Sequence, residues 1–458
     1  MSDPRSSALE YAHEQKKRFL DELIEFSRIP SVSTDTERDT DVHKTANWLV
    51  KQLNNVGLEN VKIYPTAGHP VVYGDHLAAG TEAPTVLIYG HYDVQPAEPL
   101  DKWDTPPFEP TERGENLYAR GASDMKGQVA ATLNAIEAIL RTSQLPINAK
   151  FIIEGEEEIG SPNLPEFIKE HKELLACDFA LNPDTGMIAP DLPTITYALR
   201  GLAYFELHLW GPSQDLHSGV FGGAVHNPAQ VLADLIAGMH DEKGRITLPG
   251  FYDKVRDLTQ DEREELARLP KGEAWYLENT GAPELWGEEG YSPDERVGAR
   301  PTLEINGLLS GFTGEGAKTV LPAYAMAKIS CRLVPDQDPD EVHQQLLQYL
   351  EEKAPATVKW EVIIMASGPA SISDRSSPWA LAYLKAAETS WGVKPVFKRE
   401  GGSVPVVTAF QEILGVESVN MGFGLPTDNM HGPNEKLHLP TWYKGIDALI
   451  HFFFNLAN

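Results

Sequence analysis

Two short stretches, Val86-Leu87-Ile88-Tyr89 and Phe151-Ile152-Ile153, are apolar at every position, and each runs straight into residues that carry charge. A strand apolar on both faces has to lie inside a sheet covered by other elements. Between the two, Val129, Leu133, Ile136 and Leu140 recur at helical spacing over residues 128–141. Strand, helix and strand in succession predict an α/β sheet. The preceding residues agree. A helix is expected over 14–27, with Phe19, Leu23 and Phe26 on one face. A second is expected from Thr40 to Asn55, with Val42, Ala46, Leu49 and Leu53 as its stripe and Gly57 as its stop. Val61–Tyr64 and Val71–Tyr73 read as short strands.

Near Tyr197 the pattern changes. From Ala203 to Trp210, Tyr204, Glu206 and His208 alternate with Phe205, Leu207 and Leu209, as in a half-exposed strand. Residues 254–300, rich in Glu, Gly and Pro, read as an irregular insertion. Ala325–Val334 is expected to be a strand and Pro339–Glu352 a helix. Helical character returns at Pro378–Thr389, and Trp442, Ile446, Leu449, Phe453 and Leu456 form a closing stripe. The expected architecture is therefore α/β and discontinuous. Residues 1–198 and 374–458 make a domain with a mixed sheet flanked by helices, and residues 199–373 form a smaller inserted α+β domain.

Charge narrows the partners. Lys and Arg number 39 against 67 Asp and Glu, a net charge of −28. Such a surface repels phosphate backbones and anionic lipid, so neither nucleic acid nor a membrane is an expected partner. No apolar run approaches the ~20 residues of a membrane helix, and Met1–Lys17 has no apolar stretch suited to a signal peptide. Cys177 and Cys331 make no disulfide framework. A cytoplasmic protein is expected.

Several segments hold residues suited to chemistry. His91 and Asp93 follow the first apolar strand, where α/β proteins place functional groups. At i and i+2 of an extended chain they point the same way, so Asp93 can accept the second ring N–H of a metal-binding His91. Asp124 sits in Gly121-Ala122-Ser123-Asp124-Met125-Lys126-Gly127, before a helix, where an N-cap is the ordinary role. Glu154-Gly155-Glu156-Glu157-Glu158 follows the second apolar strand; carboxylates so placed repel one another unless cations hold them. Asp184, alone, would be a turn residue, and His217 and His431 lie in polar, glycine-containing loops. Gly311–Thr319 approaches a phosphate-binding loop, but Ala317 separates Gly316 from Lys318 and breaks the spacing. No H-E-x-x-H helix and no G-x-S-x-G elbow is present.

Taken in order, His-x-Asp-Val, Gly-x-x-Asp-Met-Lys-Gly, Glu-Gly-x-Glu-Glu-x-Gly-Ser and a distant His resemble the M20 metallopeptidase family over nearly the whole chain. Asp215–Gly219, Gly316–Val320, Arg332–Pro335 and Arg399–Ser403 resemble its cytosolic nonspecific dipeptidase and carnosinase branch. The resemblance implies two divalent ions, Zn²⁺ first, with Mn²⁺ or Co²⁺ as alternatives. It implies that His91, Asp124 and Asp184 hold one ion, and that Asp124 bridges to a second completed by Glu158 and His431. Three ligand carboxylates and a hydroxide then bring the charge of two divalent ions close to neutral. Glu157 is implied as the general base toward a metal-bridging water, Asp93 as the partner of His91, and the peptide after Asp124 as cis. The inserted domain is implied to be a lid and dimerisation domain. Its His217 would donate to the oxyanion in the other subunit of a homodimer, while Arg332, Thr319, Gly402 and Ser403 would hold the carboxylate of a small peptide. Glu156 is left to solvent. The alternative is an N-acyl-amino-acid deacylase of the acetylornithine or succinyl-diaminopimelate kind, which shares the metal site.

Overall fold

The computed structural model describes residues 3–402 and 404–457. The chain separates into two compact units, one of Met1–Tyr197, Ser373–Lys398 and Pro405–Asn458, the other of Ala198–Ile372 and Arg399–Val404.

In the first unit the two apolar strands lie side by side, as their composition requires. Thr85–His91 pairs in parallel with Asn148–Glu154 on one edge and with Phe179–Asn182 on the other. Ser418–Asn420 extends the parallel set beyond Phe179–Asn182. Val71–His76 and Glu59–Tyr64 continue the sheet antiparallel past Asn148–Glu154, so the sheet is mixed. Val86, Leu87, Ile88 and Tyr89 are at most 1% exposed, and each such side chain contributes roughly 1.5–3 kcal/mol of burial.

The helix Gly127–Thr142 departs from the expected single stripe: every residue from Gly127 to Ile139 is buried. It packs against the strand Thr85–His91 and against the helices Pro4–Glu14, Asp39–Val56 and Leu439–Asn455, so no face is left for solvent. Asp39–Val56 ends at Gly57, which has φ +106, the left-handed conformation that glycine adopts without a Cβ penalty. The helix expected over 14–27 is found at Lys16–Ser27, and a further helix, Pro4–Glu14, precedes it across Gln15.

In the second unit four antiparallel strands run in the order Thr302–Ser310, Tyr324–Leu333, Gly201–Trp210, Lys359–Gly368. Ala203, Phe205, Leu207 and Leu209 are buried, as the alternation predicts. Val231, Leu232 and Leu235 of the helix Pro228–Ala237, with Val342, Leu346 and Leu350 of Pro339–Lys353, complete that core. The insertion is more ordered than its composition suggests. It contains the helices Gln260–Leu266, Glu273–Thr280 and Pro293–Ala299, and the first and last start with capping boxes, Thr259 with Glu262 and Ser292 with Glu295. That Ser/Thr-x-x-Glu signal is local and visible in the sequence; the Glu- and Pro-rich composition masks it. Inside the insertion Arg300 forks onto Glu288 at 2.7 and 2.8 Å. Cys177 and Cys331 are free thiols. Among the described residues no helix is long and apolar enough to cross a membrane.

Candidate metal centre

Parallel strands deliver their carboxyl ends to one edge of the sheet. His91 is the last residue of its strand and lies in register with Glu154. One turn later the chain carries Glu157 and Glu158, and Asp184 follows the strand that ends at Asn182. Three of the functional segments are thus placed by strand pairing alone.

The His91 ring is completely buried. Its Nδ1 faces Asp93, 3.1 Å from the backbone carbonyl and 3.4 Å from the carboxylate. The carbonyl is the closer acceptor. The Asp93 carboxylate also accepts the N–H groups of Glu157 at 3.3 Å and Glu158 at 3.1 Å, so one buried acid anchors both the histidine and the turn after the second strand. With Nδ1 engaged, Nε2 points into the centre.

Asp124 stands between two histidines. Its Oδ1 lies 3.1 Å from Nε2 of His91 and its Oδ2 2.9 Å from Nε2 of His431. The Asp124–Met125 peptide is cis. The same His431 nitrogen is 3.2 Å from Glu158 Oε2, and Asp184 Oδ2 is 3.9 Å from His91 Nε2. Gln95 donates to Glu158 Oε2 at 2.9 Å. His431 has φ +63, flanked by Asn429 and Asn434 at φ +54 and +60; a left-handed histidine is uncommon and marks a constrained loop. The ligand atoms of His91, Asp124 and Glu158 lie within 4.8 Å of one another, as do those of His91, Glu157 and Asp184.

So many acids at one place distort their own titration. Burial, then the charge of Asp124, pushes Asp184 well above the carboxylate range. Glu157 is pushed up to about 7 by burial and by the charges of Asp124, Glu158 and Asp93, against the opposing pull of His91. Burial alone would depress His91, but its contacts with Asp124 and Asp93 hold it well above its usual value. His431 is pushed up to about 10 by hydrogen bonds to Asp124 and Glu158. A donor set of two imidazoles and clustered carboxylates, short of cations, suits divalent ions.

The structure brings together His91, Asp93, Asp124, Glu157, Glu158, Asp184 and His431. It corrects the reading of Glu156, which is 5% exposed and accepts from Asn163 Nδ2 at 2.8 Å. A Cβ on Gly68 would lie 1.8 Å from its Oε1, so the acidic turn folds against the 66–70 loop instead of facing water. Also unanticipated are Glu435, which is fully buried, and Asp428, equally buried and bonded to Ser123 Oγ at 3.0 Å.

In the second unit His217 is exposed, its Nδ1 accepting from Gly219 N at 3.0 Å. It lies on a two-stranded ribbon with Val320, beside Thr319, whose carbonyl accepts from Ser218 N at 3.0 Å. Arg332 pairs with Leu202 and Thr302 and lines a cavity of about 420 Å³ with Arg200, Glu304 and Trp286. The carbonyl of Gly402 accepts from Arg200 N at 3.2 Å. Burial, then the charge of Arg332, pushes Arg200 down to about 10. Ser403 lies outside the described residues.

Imidazoles and carboxylates gathered beside the carboxyl ends of parallel strands are a donor set of the kind that metal-dependent hydrolases use. The chain belongs to the peptidase family M20/M25/M40, whose model matches residues 87–455. It is an enzyme, a metallopeptidase, and the family works with divalent metal ions. Over 475 residues it is 31% identical to the Cys-Gly metallodipeptidase DUG1 of Candida albicans, covering 98% of this chain and 97% of that one. It is 34% identical over 394 residues to the human Beta-Ala-His dipeptidase, covering 85% of this chain and 78% of the relative. Among solved structures, an M20 family metallo-carboxypeptidase from Sulfolobus solfataricus superposes with a TM-score of 0.82 at 34% identity, covering 96% of this chain and 99% of that one.

Proposed function

We propose that the protein is a dipeptidase that hydrolyses the amide bond of small peptides bearing a free C-terminal carboxylate. The observation that carries this reading is the position of Asp124 between His91 and His431, with Glu158, Asp184 and the raised Glu157 gathered around it. His91, Asp124 and Asp184 would hold one ion, and Asp124, Glu158 and His431 the second, Zn²⁺ first, with Mn²⁺ or Co²⁺ as alternatives. When bound, such ions acidify water and polarise a carbonyl oxygen. Glu157 takes the proton of the attacking water and returns it to the leaving amine; a carboxyl pushed up to about 7 is poised for both transfers. Asp93 keeps the Nδ1 proton of His91 in place and so fixes the tautomer.

Arg332 would grip the substrate carboxylate as a two-pronged donor, Thr319 and Ser403 would share in holding it, and Gly402 would let the backbone come close. His217 would act from the partner subunit of a homodimer, donating to the oxyanion. Support for association comes from the edges of the second unit's sheet. Leu308 and Leu309 on one edge strand, and Ile363, Ile364 and Met365 on the other, are 41–64% exposed. Apolar edge strands are seldom left open to water. The Cys-Gly metallodipeptidase and Beta-Ala-His dipeptidase relatives favour dipeptides over acylated amino acids. The likeness to a metallo-carboxypeptidase supports a second reading in which longer peptides enter from their carboxyl end.

The test is hydrolysis by metal-stripped protein, with and without added Zn²⁺ or Mn²⁺. The panel holds Cys-Gly, β-Ala-His, a tripeptide, a hexapeptide, an N-acetyl amino acid and a C-amidated dipeptide. Metal-restored cleavage of free dipeptides alone supports the dipeptidase. Stepwise release from the hexapeptide moves the protein to the carboxypeptidase reading, and cleavage confined to the acetylated compound moves it to a deacylase. Sedimentation as a monomer at assay concentration would remove the trans role of His217.

A further inference from the structure

Five donors between Ala119 and Asp124 converge on one residue far away in sequence. Glu435 is fully buried. Its Oε2 accepts from Arg120 Nη1 at 2.7 Å and Gly121 N at 2.9 Å, and its Oε1 from Ser123 N at 3.0 Å and Asp124 N at 3.1 Å. Its own carbonyl accepts from Ala119 N at 3.1 Å. Gly121, at φ +81, makes the turn that lets these N–H groups converge. A side chain there would meet Val94 at 2.4 Å.

Glu435 lies four residues beyond His431 in the same loop. The base of that loop is closed by Lys436 N donating to the carbonyl of Asp428 at 3.0 Å. Asp428 supplies a second tie, its Oδ2 accepting from Ser123 Oγ at 3.0 Å and Leu425 N at 2.8 Å, its Oδ1 from Lys436 Nζ at 2.8 Å. The loop that presents His431 is therefore pinned to the loop that presents Asp124 at two points.

We propose that Glu435 is a positioning residue that locks the Asp124 backbone to the His431 loop, so that the two side chains hold their separation before a metal ion arrives. This rests on the reading of Asp124 and His431 as metal ligands. A carboxylate is required because donors face both of its oxygens. A glutamine would turn its NH₂ group toward either Arg120 and Gly121 or Ser123 and Asp124, donor against donor. Glu435 touches the centre through its neighbours, so its effect falls on metal binding and on kcat and not on substrate affinity.

The experiment uses the full chain stripped of metal. Hydrogen exchange of segments 119–126 and 428–436 in the wild type is expected to show both protected without metal and little changed by added Zn²⁺. Zn²⁺ affinity, measured by competition with a chromophoric chelator, is expected to fall roughly 10- to 100-fold in Glu435→Gln, the usual effect of removing a partner behind a ligand. Dipeptide kcat should fall with it while KM stays within about threefold. Should Glu435→Gln fail to fold, Glu435→Asp keeps the charge opposite Arg120 with a shorter reach and is expected to show the same direction of loss. Free exchange of both segments until metal is added, or native Zn²⁺ affinity in a folded variant, would overturn the proposal. Absence of dipeptide turnover by the wild type would remove the substrate reading while leaving affinity and exchange to judge Glu435.

Discussion

Asp124 and His431 are separated by 307 positions, yet a carboxylate oxygen of one lies 2.9 Å from the Nε2 of the other. The acid that sits between two imidazoles follows a turn on an early segment; the histidine comes from a loop near the carboxyl end. A metal ion held by both, as proposed, would tie the two ends of the first unit together, and the predictions below follow from that dependence.

Glu157→Gln would remove the proposed proton acceptor while keeping its shape. Its kcat on a dipeptide should fall by about 10²- to 10⁴-fold, the usual worth of a general acid–base group, with KM and metal content near wild type. Steady-state kinetics with elemental analysis check this. Unchanged kcat would remove Glu157 from the mechanism.

Metal should stabilise the fold, and more so as pH rises. Free ion at about 1,000 times its dissociation constant contributes about 4 kcal/mol. Without metal, Glu157 binds a proton up to about 7 in the folded state against 4.5 for its ordinary value, and His431 up to about 10 against 6.5. Both folded values are raised, so their stabilising protonation is full below the ordinary value and is lost as pH rises through the folded one. The same protons compete with metal at low pH. The gap in Tm between loaded and stripped protein should therefore widen from pH 5 to pH 9 in calorimetric scans. A gap that narrows over this range would contradict the assignment.

Gly422→Ala tests the Asp184 loop. A Cβ at this position would lie 1.5 Å from the carbonyl oxygen of Thr185 and 2.7 Å from that of Pro183. Backbone has to move, at a cost of about 1–3 kcal/mol, and Asp184 lies between the two carbonyls that must shift. Urea denaturation should show the lower midpoint, and chelator competition a weaker metal affinity. Native values for both would mean that the loop relaxes freely.

Arg332→Lys keeps the charge and loses the planar fork. If this side chain grips the substrate carboxylate, KM for a free dipeptide should rise by about 10- to 100-fold, in line with the ~1.5–3 kcal/mol of a charge-assisted hydrogen bond. A C-amidated analogue, already lacking that partner, should be hardly affected. An equal rise for both would place Arg332 outside substrate recognition.

Much of the first unit was legible because its signals are local. A strand apolar on both faces declares its own burial, and His91, Glu157 and Glu158 could be singled out because they follow such strands directly. Asp124 and His431 were harder, since an acid before a helix and a histidine in a loop each have a commoner role; only the order of several segments distinguished them. The insertion was misjudged because its overall composition hid the capping signals at Thr259 and Ser292.

What the sequence determined by itself is therefore the alternation of buried strands and helices, and the kinds of side chain set at the strand ends. Burial of an acid is different in kind. Glu156, Asp428 and Glu435 look like solvated residues wherever they are read along the chain, because whether a donor turns toward a buried acid is not written in local sequence. Their partners, Asn163, Ser123 and the N–H groups of Gly121, Ser123 and Asp124, reach them only when the chain has folded, across as many as 314 positions. Tertiary structure alone decided which carboxylates are clustered at the centre and which hold it in place, since that depends on where hydrogen-bond donors converge in space.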